Sequence, residues 1–173
     1  MKRIVLTFAA LAVLTIAGTA SAADNTATLM VTGTVESSIS ITIETTDAIA
    51  SGAGTAAASS TLGNISKFGT APTGFTLARG ATDWTLSATV GVQVIKANLT
   101  SDDYNLTAQL ASPSAGGVDW KMNGFTLNDS APTSLDSGVS YDSTHNYPWD
   151  IVIADSADPA AINNSIIFTA SSN

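Results

Sequence analysis

Residues 27–43 read Ala27-Thr28-Leu29-Met30-Val31-Thr32-Gly33-Thr34-Val35-Glu36-Ser37-Ser38-Ile39-Ser40-Ile41-Thr42-Ile43. Ala27, Leu29, Val31, Gly33, Val35, Ile39, Ile41 and Ile43 share one parity, while Thr28, Thr32, Thr34, Glu36, Ser40 and Thr42 share the other. Successive side chains leave a β-strand on opposite sides, so a repeat of two marks extended chain with one face in a core and the other in water. Only Ser37 interrupts the apolar face and only Met30 the polar one. The stretch therefore reads as one long strand, or as two joined near Glu36-Ser37-Ser38.

Towards the C-terminus, residues 48–60 are Ala, Gly, Ser and Thr with one Ile. They offer little to bury and predict a long loop or edge segment. Alternation then returns. Trp84, Leu86, Ala88, Val90, Val92 and Val94 share a parity, and Tyr104, Leu106, Ala108 and Leu110 form a second run after the turn-like Ser101-Asp102-Asp103. Trp120-Lys121-Met122 and Phe125-Thr126-Leu127 flank Asn123-Gly124, a dipeptide that accepts positive φ at both centres of a type I′ turn, which predicts a two-residue hairpin. Tyr147, Trp149, Ile151 and Ile153 predict a late strand, and Ile166, Phe168 and Ala170 a last one. No segment keeps helical spacing.

Strands with one apolar face each need a second sheet to cover that face. The expected fold is all-β, a two-sheet immunoglobulin-like β-sandwich of seven or eight strands. Leu86, Val90, Val92, Leu106, Leu110, Ile151, Ile153, Ile166 and Phe168 are expected inside. The Cys-Trp-Cys spacing of a true immunoglobulin domain is absent, because the chain has no cysteine.

Towards the N-terminus, Met1-Lys2-Arg3 gives a short basic start, residues 4–17 an apolar core, and Ala20-Ser21-Ala22 a small-residue cleavage site. This predicts a signal peptide over residues 1–22, a mature chain from Ala23, and secretion to the surface or periplasm of a bacterium. Removing Lys2 and Arg3 leaves 6 − 2 = 4 basic residues against 14 acidic ones, a net charge of −10. That charge argues against nucleic acid and anionic membrane surfaces as partners, and no later stretch is apolar for long enough to span a membrane. Disulfides and Cys-zinc sites are excluded as well.

Chemistry has few places to reside. His145 is the single histidine, with Asp142 as an orienting carboxylate and serine or threonine as nucleophile in the catalytic reading, or a solvated loop residue in the plain one. The plain reading is preferred because hydroxyl residues are everywhere in this chain. Ser101-Asp102-Asp103 and the trio Asp150, Asp155 and Asp158 are oxygen-ligand candidates without the spacing of a known calcium loop. No catalytic residue, metal site or cofactor is assigned. Trp84 and Trp149 fall on the apolar parity of their strands and predict core. Trp120, beside the hairpin, and Tyr141 are candidates for exposed aromatic ligand contacts.

A cleavable signal, an N-terminal alternating strand with glycine at its middle, and a Thr/Ser/Ala-rich β domain together resemble bacterial pilin subunits of the chaperone-usher class. The matching residues are Leu29, Val31, Gly33 and Val35. The resemblance implies an incomplete sandwich over residues 36–173 and a donor strand over residues 23–35 that completes a neighbouring copy, with a periplasmic chaperone as a further partner. Many such pilins carry a disulfide that this chain cannot form. Trp84-Thr85-Leu86 and, with Ile for Leu, Trp149-Asp150-Ile151 resemble the WxL domain of bacterial cell-wall proteins. That resemblance implies a wall- or polysaccharide-binding module as the alternative to a fimbria-like adhesive subunit. Either way the expectation is a protein that works by being bound or assembled, not by catalysis.

Overall fold

The computed structural model describes residues 30–46, 48–158 and 162–173. The expected signal peptide at residues 1–22 and the first part of the expected donor segment, Leu29 included, lie outside the described residues. A compact unit spans Val35–Asn173. It is all-β, with nine strands among the described residues: β1 (Ser38–Ile43), β2 (Thr76–Arg79), β3 (Asp83–Ala97), β4 (Asp103–Leu110), β5 (Val118–Met122), β6 (Phe125–Thr126), β7 (Thr133–Ser140), β8 (Thr144–Ala154) and β9 (Ile166–Ser172).

The strands form two sheets. The larger runs β1-β3-β8-β5-β6, with β2 also on β3, and the smaller runs β7-β4-β9. β3 is the spine of the larger sheet, its apolar face running from Trp84 to Val94. One edge pairs antiparallel with β8 from Asp83↔Ala154 to Gln93↔Thr144. The other edge is shared, Ser38–Ile43 pairing with the Val92–Ala97 half and Thr76–Arg79 with the Trp84–Ser87 part. The crossing between them is tight. Glu44 N–H donates to the Gly91 carbonyl at 2.8 Å, and a Cβ on Gly91 would come within 2.2 Å of the Glu44 carbonyl oxygen. Gly91→Ala is thus expected to destabilise the fold by about 1–3 kcal/mol, the usual cost of forcing an extra methyl into a packed site. A urea midpoint equal to that of the unaltered chain would contradict this.

Antiparallel register puts opposed residues on one face, so Leu86 with Ile151, and Trp120 with Ile151, all point inward. Tyr104, Leu106, Ala108 and Leu110 answer from β4, and alternate residues of β4 are buried while those between are half-buried. Val92, Val94, Leu106 and Ile151 are completely excluded from solvent. The hairpin falls where it was expected: Asn123 and Gly124 have φ of 52° and 81°, and Met122 opposes Phe125. Asn123 Nδ2 also donates to the Leu135 carbonyl at 3.0 Å, tying the turn to β7.

Several expectations need correction. The alternating N-terminal stretch enters a sheet only at Ser38; residues 30–37 carry no strand, and Val31 and Val35 are exposed. Trp120 and Tyr141 are buried, not exposed. Trp120 sits opposite Ile151 and stacks on Trp149 with centroids 6.2 Å apart, while Tyr141 packs on Tyr104 at 5.0 Å. Ile166 and Phe168 are only half-buried, because β9 is an edge strand with β4 on one side. His145 belongs to β8 and not to a loop.

Two strands, β2 and β7, go beyond the expected set. β2 is four residues with one inward apolar side chain, Leu77. In β7 the buried Leu135 and Val139 share a parity, but the exposed Ser137 lies between them where the pairing with β4 slips and Gly138 takes φ of 64°, so only two apolar side chains mark the strand.

The tyrosines at the β4–β8 end of the core have a consequence for pH. Burial first, then the Asp136 and Tyr141 charges, push the Tyr104 hydroxyl from 10.0 up to about 12. Burial first, then Tyr104 and Asp136, push Tyr147 up as well. A phenol held neutral in the fold but free to ionise near 10 in the unfolded chain lends stability that is complete below pH 10. That stability is lost as pH rises through the folded value. Denaturant melts are therefore expected to hold their midpoint up to about pH 10 and fall between 10 and 12, with a shallower fall in Tyr147→Phe; equal slopes in both proteins would be the contrary result.

Candidate functional site

Backbone phase decides which groups the edge strands leave free. Glu44 bonds to Gly91, so the β1 residues directed at β3 are Ser38, Ser40 and Thr42, and the N–H and C=O groups of Ile39, Ile41 and Ile43 face the outer edge. The bonds made by Ile43 agree. Its N–H donates to the Thr55 carbonyl at 2.8 Å, and its own carbonyl accepts from Gly54 N–H at 2.9 Å. On β9, Ala111 N–H donates to the Ser165 carbonyl at 2.9 Å, which sets Ile167, Thr169 and Ser171 towards β4. Ile166, Phe168 and Ala170 face the other way, and among the described residues no strand pairs with them.

The same six residues turn their side chains inward. Ile39, Ile41 and Ile43 share the face of Val92 and Val94, and Ile166, Phe168 and Ala170 share the face of Leu106, Ala108 and Leu110. β1 and β9 meet at one side of the two sheets. Between and beside these edges opens a cleft of about 1550 Å³, floored by Val90, Trp120, Met122 and Trp149 and walled by residues 56–65 and 162–168. Its described lining includes no Asp, Glu, Lys, Arg or His. The described lining is thus uncharged, with aliphatic and aromatic side chains beside serine, threonine and asparagine, and it lies between two edges whose backbone groups are only partly paired.

The residues that could carry chemistry are elsewhere and apart. His145 Nε2 lies 3.2 Å from the Ser140 carbonyl and 2.9 Å from Ser143 Oγ. Among the described residues the ring has no hydrogen bond with Asp142, which follows the strand at φ of 61°. The triad arrangement therefore does not form. Asp102 is exposed and pairs with Lys96 at 3.3 Å, and Asp155 pairs with Lys67 at 2.7 Å. No three acidic or histidine side chains converge as a metal site among the described residues.

Of the expected donor-strand residues, Val31, Gly33 and Val35 are described, and a Cβ on Gly33 would meet nothing within 4 Å. Of the six edge residues, the five that line the cleft, Ile39, Ile41, Ile43, Ile166 and Phe168, were not singled out as a site by sequence reasoning. Their signal was present as alternation, but nothing in the alternation says which strands end up at an edge. Comparison of the chain with protein-family models, with curated proteins and with solved structures finds no match.

Proposed function

We propose that this protein is a secreted structural or adhesive subunit of a bacterial surface, without catalytic activity, that assembles by β-strand addition. Residues 23–35 of one copy lie in the cleft of the next. One observation supports the reading: two strand edges, β1 with Ile39 and Ile41 unpaired on its outer side and β9 with Ile166, Phe168 and Ala170, border an uncharged cleft floored by Val90, Trp120, Met122 and Trp149, and the same chain carries an alternating apolar segment at its N-terminal side. Leu29, Val31, Gly33 and Val35 would face the floor while their backbone takes up the edge bonds, the general manner in which an extended peptide extends a sheet. For the polysaccharide-binding alternative, Tyr141 is buried against Tyr104, and Trp120 is buried except where it floors the cleft.

Sedimentation of the chain beginning at Ala23 is expected to show multimers that grow with concentration and are capped by excess synthetic peptide of residues 25–35. A chain that stays monomeric at every concentration and binds no peptide would overturn the proposal. His145→Ala should change neither assembly nor any enzymatic turnover; a specific activity abolished by that substitution would refute the non-catalytic part.

A further inference from the structure

The outer edge of β1 is not free along its whole length. Ile39 and Ile41 have no backbone partner on that side among the described residues, but Ile43 is held by Gly54 and Thr55. Residues 51–59 around this contact are all exposed and no side chain in them is larger than threonine. They are tied down at few points: the Ile43↔Thr55 bridge, the Ser51↔Ser59 bridge, and Ser60 Oγ donating to the Ile49 carbonyl at 2.6 Å. Thr55 Oγ1 lies 2.6 Å from the Gly52 carbonyl and 2.7 Å from that of Ala57, which keeps the segment curled against Ile43. The stretch that follows, residues 56–65, forms a wall of the cleft. A segment with so little apolar surface to bury is released at small cost, because local opening is cheapest where packing is thinnest.

We propose that Gly54-Thr55 is a displaceable stop on the β1 edge, and that an incoming strand takes over the two backbone bonds of Ile43 as it seats. This rests on the strand-addition reading above and adds which edge is used and what guards it. The spacing supports it. The donor presents apolar positions two apart, and β1 offers Ile39, Ile41 and Ile43 in the same step, so a three-position match exists only once Ile43 is released. The β9 edge carries no comparable stop among the described residues, so a strand pairing only with β9 would ignore Gly54-Thr55.

The chain has no cysteine, which makes a reversible lock clean. In Ile43→Cys with Thr55→Cys, assembly of the full chain from Ala23 is followed by light scattering, oxidised and reduced, with circular dichroism confirming the fold in both states. The oxidised form is expected to lose multimers and the reduced form to regain them to the level of an Ile43→Cys single variant, which sets the reference because Ile43 itself lines the cleft. In a second variant, Thr55→Ala removes the hydroxyl contacts that hold the curl and is expected to assemble faster than the unaltered chain. Oxidised protein that assembles like the reduced form, or Thr55→Ala at an unchanged or lower rate, overturns the stop while leaving strand addition standing. If the unaltered chain fails to assemble, the strand-addition reading itself falls, and the stop with it.

Discussion

Leu106→Ala is expected to lower the unfolding free energy by about 2–5 kcal/mol, the range found when a large aliphatic side chain is deleted from a core that cannot fully close. Leu106 lies mid-strand in β4, the central strand of the smaller sheet, with Ala170 opposite it on β9. It is wholly excluded from solvent. Because β7 and β9 pin both edges of β4, the backbone cannot move inward to refill the hole, which places the cost towards the upper part of that range. Phe168→Ala makes the informative comparison. Phe168 is larger but only half-buried on the open cleft, so less of its surface leaves water on folding, and its loss should cost less than that of Leu106. Urea melts followed by tryptophan fluorescence measure both. A larger loss for Phe168 in the isolated monomer would mean that the cleft is closed in solution.

The contrast between those two positions also shows how far the sequence could be read. β3, β4 and β8 were legible because alternation over many residues leaves one choice of face, and the Asn123-Gly124 turn because few residues accept its dihedral angles. Trp120 was misread because Trp120-Lys121-Met122 is too short to say which parity faces inward; the pairing with Ile151 decides it. β7 was hidden because only Leu135 and Val139 mark its inner face, with Ser137 between them, and His145 by the polar residues around it. For the candidate site, the proposed donor segment was legible as alternation, whereas the cleft edge proposed to accept it was not. Ile41 and Phe168 become neighbours of one cleft only because two strands far apart in the chain both finish at the same side of their sheets, which is a property of topology and not of local pattern.

Removing residues 23–35 is expected to abolish multimers while leaving a folded monomer. The compact unit begins at Val35, the first sheet bonds belong to Ser38, and Asn98 Nδ2 donates to the Glu36 carbonyl at 3.1 Å, so what anchors β1 to β3 survives the deletion. Its urea midpoint should stay close to that of the unaltered chain, since Val31 and Val35 are exposed and contribute little burial. Gly33→Val then separates the roles of the segment more finely. A Cβ at Gly33 meets nothing in the monomer, so valine should leave folding untouched. In the cleft of a second copy the same position would face the floor of stacked Trp120 and Trp149 side chains at close range, where a glycine admits the backbone and a branched side chain keeps it out. Assembly by Gly33→Val at the rate of the unaltered chain would show that no close approach occurs there. If the deleted chain instead unfolds, and added peptide of residues 25–35 restores only a monomer, then the N-terminal segment completes its own sandwich and donates to no neighbour.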